Sequence, residues 1–155
     1  MENSSVKVGR YTAQMEIDKM NKSANLLIVD DDERICRMLG RHLKREGFQV
    51  RTAADGAIMW QLLEGTQPEL IILDLILPGV DGITLARELR IKYPTIGIVI
   101  LTAKNDIMDT IIGLEVGADD YVTKPFDNRV LLARIRSVLR RLSNSETYEK
   151  QHTHS

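Results

Sequence analysis

The sequence predicts an α/β protein, a doubly wound (βα)5 three-layer sandwich around a parallel sheet. Three apolar runs recur, Leu26-Leu27-Ile28-Val29, Leu70-Ile71-Ile72-Leu73 and Ile98-Val99-Ile100-Leu101, and none alternates polar with apolar. Strands of that kind are covered on both faces, which is the habit of a parallel sheet. Segments with helical spacing separate them, so strand and helix alternate along the chain. Right-handed crossovers then place helices on both faces and leave a ligand crevice at the carboxyl ends of the strands.

Taken in order, the first run precedes a helix from Glu33 to Glu46, with Ile35, Leu39 and Leu43 on its inner face and Gly47 as a C-terminal cap. Phe48 to Ala53 reads as the second strand, because Phe48 and Val50 alternate with Gln49 and Arg51. Asp55 can cap a second helix carrying Ile58, Met59, Leu62 and Leu63, which Gly65 and Pro68 end. The third strand is the run at Leu70, followed by a helix from Ile83 to Lys92 that Pro94 stops. The fourth strand is the run at Ile98, followed by a helix from Ile107 to Val116 that Gly117 stops. Tyr121-Val122 is a weak fifth strand, and a last helix runs from Arg129 to Leu142 with Leu131, Ile135, Val138 and Leu139 inward. Residues 1–24 and 143–155 are polar and aperiodic, so both are expected to be disordered tail or linker around one domain at 25–142.

Composition narrows the class. A formal net charge of −1 over 155 residues provides no basic field of the kind a DNA-binding surface carries. No apolar run approaches the roughly 18 residues of a membrane span, and no secretory apolar segment opens the chain, so a cytoplasmic location is expected. The single cysteine, Cys36, rules out an intramolecular disulfide and reads as a buried structural thiol.

The chemistry gathers at the strand ends. Asp30-Asp31-Asp32-Glu33 follows the first strand, and alone it serves equally well as a helix cap with favourable dipole charges. Mg²⁺, however, takes oxygen ligands and commonly one or two carboxylates, which Asp30 and Asp31 are placed to supply, leaving Asp32 and Glu33 toward solvent. Asp74 is the first polar residue after the third run, where a carboxylate needs a cation or hydrogen bonds to compensate its burial. It can be a third ligand, or a nucleophile toward phosphorus. Thr102 and Lys124 end the fourth and fifth strands. Singly they are an ordinary strand-edge residue and an ordinary loop cation. Together with a metal ion they would neutralise the three equatorial oxygens of a phosphoryl group. An ammonium about 4 Å from Asp74 would contribute on the order of 4 kcal/mol at an effective dielectric of ~20, enough to keep that carboxylate ionised.

In this order and on these strand ends, VDDDERI, LDLILPGVDG, LTAK, GADDY and KPF resemble the receiver domain of bacterial response regulators, over residues 25–142. GFQVR, GLEVGADDYVTKPF and LLARIRSVLRR resemble more narrowly the OmpR/PhoB subfamily, on its OmpR side. The resemblance implies a flavodoxin-like fold with strand order 2-1-3-4-5. It implies that Asp30, Asp31, Asp74 and the backbone carbonyl of Ile76 hold Mg²⁺, and that Asp74 is the phosphorylation site. Thr102 and Lys124 would bind the phosphoryl oxygens, Thr102 and Tyr121 would reorient as a switch, and Lys124-Pro125 would be cis.

The implied partners are a sensor histidine kinase and a second copy of the chain. The second copy would meet the face formed by the fourth helix, fifth strand and fifth helix. Ile111, Leu114 and Leu132 would form its apolar patch, and Glu115, Asp119, Asp120, Arg134, Arg136 and Arg141 its ion pairs. On this resemblance the chain is a phosphoacceptor that assists its own phosphorylation and dephosphorylation rather than an enzyme. It would touch no membrane, and would control transcription only through a C-terminal winged-helix DNA-binding domain outside this chain, which is then an excised receiver or a stand-alone one. Thr110 and Val130 stand where the subfamily often pairs a base with a glutamate, so a shortened ionic ladder is expected. Two other classes fit parts of the pattern. An unphosphorylated pairing module would ignore Asp74 substitution and Mg²⁺. An aspartate-nucleophile phosphatase needs a second acid two residues after the nucleophile, where this chain has Ile76.

Overall fold

Five strands lie side by side and all parallel: β1 (Asn25–Val29), β2 (Gln49–Ala53), β3 (Leu70–Asp74), β4 (Gly97–Ala103) and β5 (Asp120–Lys124). Across the sheet they run β2-β1-β3-β4-β5. This computed structural model describes residues 24–103, 111–112 and 114–153, with side chains through residue 144. Residues 1–23 of the tail expected over 1–24, and residues 107–110 and 113 of the expected fourth helix, Thr110 among them, lie outside the described residues. Helices α1 (Glu33–Arg45), α2 (Gly56–Glu64) and α3 (Gly82–Lys92) follow the first three strands. α4 is described at 111–112 and 114–115, and α5 spans Asn128–Thr153.

Side-chain alternation along each strand builds two cores from one sheet, since successive residues point to opposite faces. Leu26, Ile28, Leu70, Ile72, Val99 and Leu101 pack with Leu39 and Leu43 of α1 and with Leu131, Ile135 and Val138 of α5. Their neighbours Leu27, Val29, Ile71, Leu73, Ile98 and Ile100 pack with Met59 and Leu63 of α2 and with Leu85, Ala86 and Leu89 of α3. This explains why the runs carry no polar position. Each fully buried leucine or isoleucine stabilises the fold by about 1.5–3 kcal/mol relative to an exposed one.

Acidic caps set where the helices begin. Asp32, at the surface as expected, accepts hydrogen bonds from the N–H groups of Arg34 (2.9 Å) and Ile35 (3.4 Å) and so starts α1. Asp55 accepts from the Ile58 N–H at 2.9 Å and starts α2. Cys36 is only partly buried, and its thiol donates to the Asp30 carbonyl at 3.3 Å. Burial, then the nearby Asp30 and Asp32 charges, push that thiol up to about 11, so it is inert at neutral pH.

Three features depart from the sequence expectation. Ala24, assigned there to the tail, is buried in the core, and its carbonyl accepts from the Gln49 N–H. Two-residue strands at Ile76–Leu77 and Val80–Asp81 form an antiparallel ribbon outside the sheet. Counted with that ribbon, the last two strands of the sheet are the sixth and seventh in the chain, so the expected order 2-1-3-4-5 becomes 2-1-3-6-7 with the same neighbours. Finally, α5 does not stop at Leu142 but continues to Thr153. The segment SNSETYEKQHT contains neither proline nor glycine, so nothing in it breaks the helix.

Candidate functional site

The carboxyl ends of β1, β3, β4 and β5 converge on three buried polar residues, Asp30 (1% exposed), Asp74 (6%) and Thr102 (3%). They are the buried polar side chains among the described residues. Parallel pairing aligns these ends: Val29 lies opposite Leu73, Asp74 opposite Leu101 and Thr102 opposite Thr123, with Lys124 one residue further on. The Lys124 ammonium donates to Asp30 Oδ2 and to Asp74 Oδ2, each at 2.9 Å. Carboxylate oxygens of Asp30, Asp31 and Asp74 lie within 4.8 Å of one another, with Asp31 exposed at the rim. Asp30 Oδ1 also accepts from the Asp32 N–H at 2.9 Å, and Asp74 Oδ1 from the Ile76 N–H at 3.0 Å. The peptide after Lys124 is cis, as the resemblance implied.

The pocket carries an excess of negative charge. Three carboxylates against one ammonium leave a formal −2 (−3 from Asp30, Asp31 and Asp74, +1 from Lys124). Burial, the largest influence, pushes the Asp74 carboxyl above its ordinary value of 3.8; the Ile76 N–H and Lys124 pull it back, and Asp30 pushes it up again. Burial thus outweighs the pull of Lys124 and of the Ile76 N–H on Asp74, and Lys124 divides its hydrogen bonds between Asp74 and Asp30. On Lys124 burial acts downward, yet the bonds from Asp30 and Asp74 prevail and raise it, so it stays charged. An all-oxygen donor set with an excess of two negative charges suits a hard divalent cation such as Mg²⁺.

The other expected residues divide. Ile111, Leu114 and Tyr121 are exposed, together with Val130, and Asp120 pairs with Arg134 at 3.2 Å on the same side. Leu132 is not part of an exposed patch: it packs in the core beside α1 and β5, where the helical register of α5 turns it inward. Arg136 also points elsewhere, pairing with Glu46 beyond the end of α1 at 3.1 Å, since α5 packs beside α1 on that face of the sheet. Glu115 is exposed, and Arg141 donates to the Asp119 carbonyl at 3.4 Å. Asp119 itself is held by Arg90 at 2.8 Å. Arg90 carries no signal in the sequence beyond being a basic residue in the last turn of a helix, so its part here is visible only in the fold.

A doubly wound sheet whose strand ends gather acids and a lysine, with a buried threonine at a neighbouring strand end, defines a class, the α/β domains with an acidic crevice at the carboxyl edge of a parallel sheet. The chain belongs to the response regulator receiver domain family, whose pattern matches residues 26–136. It is 47% identical over 123 residues to the transcriptional regulatory protein AfsQ1 of Streptomyces coelicolor, covering 79% of this chain and 54% of that protein. The chain thus spans about half the length of that curated relative. Among solved structures, the receiver domain of the TMAO respiratory system response regulator TorR superposes with a TM-score of 0.74 at 38% identity, covering 77% of this chain and 98% of that one. A Chloroflexus aurantiacus protein described as a response regulator does so with 0.72 at 40% identity, covering 76% and 98%.

Proposed function

We propose that this receiver domain, of the OmpR/PhoB type, accepts a phosphoryl group on Asp74 from a sensor histidine kinase and pairs with a second copy through α4, β5 and α5. The observation that carries this reading is Lys124 bridging Asp30 and Asp74 at 2.9 Å each, with Asp31 alongside. Asp30, Asp31, Asp74 and the Ile76 carbonyl would hold Mg²⁺, which supplies positive charge to the pocket and to the phosphoryl oxygens. An Asp74 carboxylate oxygen attacks phosphorus as the bond from phosphorus to the donor nitrogen breaks. Lys124 then shifts its hydrogen bonds to a phosphoryl oxygen, and the Thr102 hydroxyl takes another. That relocation of about two negative charges draws Thr102 inward and frees Tyr121 to follow, which favours the paired state. Where a DNA-binding domain is joined to the receiver, it would turn pairing into transcription control in the cytoplasm.

Incubation with acetyl phosphate and Mg²⁺ is expected to raise the mass by one phosphoryl group, and Asp74→Ala to abolish the rise. Phosphate incorporated equally in the variant would overturn the assignment, as would a wild-type protein that stays unmodified.

A further inference from the structure

α1 is strongly basic along its outer face. Between Glu33 and Arg45 it carries five cations and one acid, a formal +4 (+5 and −1), while the chain as a whole carries −1, so the remaining residues together carry −5. The near-neutral total conceals that separation. Leu39, Gly40 and Leu43 face the core, whereas Arg37, Arg41, Lys44 and Arg45 are all exposed. Among the described residues none of these four side chains has an ion pair or a hydrogen bond. Arg37, Arg41 and Arg45 stand one turn apart at i,i+4, and Lys44 lies at i+3 from Arg41, so they line one stripe about 12 Å long. Like charges at that spacing destabilise a helix. The helix dipole favours Lys44 and Arg45 in the last turn, but it fades within a turn and leaves Arg37 and Arg41 without a structural reason. Arg140, also exposed, extends the stripe on α5. It lies one turn beyond Arg136, whose guanidinium reaches Glu46 at the end of α1 at 3.1 Å.

We infer that this stripe is a docking surface for the phosphate backbone of duplex DNA, held by charge and without regard to sequence. A duplex presents a phosphate about every 3.4 Å along each strand, so a stripe of ~12 Å meets about three or four of them. A protein partner calls for an apolar centre with charge at its rim, and Met38 is the one exposed large hydrophobic side chain on α1. A lipid surface calls for an apolar face to insert, and that face of α1 is packed in the core. The stripe runs from the middle of α1 away from the pocket. Arg34, at the pocket end, has Asp32 beside it at 3.8 Å. The inference goes beyond the phosphoacceptor reading and does not rest on it. Where a DNA-binding domain is joined to the receiver, the stripe would add affinity that does not depend on sequence.

Fluorescence anisotropy of a short labelled DNA duplex of arbitrary sequence, titrated with the full chain, tests it. Binding by three or four phosphate contacts is expected to weaken roughly 40- to 150-fold between about 50 and 200 mM salt. The double variant Arg41→Gln, Lys44→Gln is expected to lose affinity at low salt and to lower the slope of log K against log salt by about 2. Arg87→Gln, which removes an exposed cation from α3, should leave that slope unchanged. The double variant should also match or exceed the parent in Tm, because a repulsive ladder has been relieved. A double variant with the affinity and salt slope of the parent, or with a lower Tm, would overturn the inference. So would a wild type that ignores the duplex and binds phosphatidylcholine vesicles containing phosphatidylglycerol. The titration needs neither Mg²⁺ nor a phosphoryl donor, so its failure would leave the assignment of Asp74 untouched.

Discussion

Asp74 illustrates how one residue can be costly to the fold and necessary to the site. Its carboxyl is raised by burial and by Asp30 against the pull of the Ile76 N–H and Lys124. A carboxyl raised in the folded state contributes stability that is fully present below its unfolded value of 3.8 and is lost as pH rises through the folded value. Asp74→Asn, which keeps an acceptor for Lys124, should therefore be more stable than the parent at neutral pH in the presence of a chelator. The advantage should vanish as the solution is acidified below 3.8. Urea titrations at both pH values decide it, and equal stability at neutral pH would count against the charge balance described above. The positions of Asp30, Asp74 and Thr102 were readable in the sequence because each follows a run of apolar residues, and that of Lys124 because it follows the weaker strand at Tyr121-Val122-Thr123. The sharing of one ammonium by two carboxylates was not, because it depends on residues 94 positions apart meeting at 2.9 Å.

At the scale of elements, the ribbon of Ile76–Leu77 and Val80–Asp81 places the backbone beside Asp74, and it depends on Gly82. The Gly82 N–H donates to the Leu75 carbonyl at 3.2 Å, and a Cβ at Gly82 would overlap the Leu75 backbone. Gly82→Ala is expected to cost about 1–3 kcal/mol, as overpacking does, and to slow modification by acetyl phosphate because Ile76 is displaced. Chemical denaturation and a time course of mass change would measure the two effects, and an alanine variant indistinguishable in both would show the ribbon to be dispensable. Two-residue strands leave no periodic trace in a sequence. The continuation of α5 was missed for a related reason: polar residues with helix-permitting spacing look like tail until they are joined to a helix already nucleated by packing.

For the whole molecule, the two cores brace the sheet and leave the crevice to be stabilised by what binds there. A ligand that binds only the folded state, at a tenfold excess over its Kd, adds about 1.4 kcal/mol. For a domain of this size that corresponds to a rise in Tm of roughly 3–8 °C. Mg²⁺ is expected to produce such a rise in the parent protein and little of it in Asp74→Asn; calorimetry with and without a chelator measures both. A shift of the same size in the variant would place the cation elsewhere.

Local composition by itself determined the layered α/β class, four of the helix starts or stops that involve Asp55, Gly65, Pro94 and Gly117, and the residues at the strand ends, because burial on both faces demands unbroken apolar runs and permits charge only where a strand stops. Tertiary packing alone decided which charges meet. Arg136 turned to Glu46, Arg90 to Asp119 and Leu132 into the core, because ion pairing and burial act through distances in space, and the chain returns to those points only once two helices and a sheet have packed.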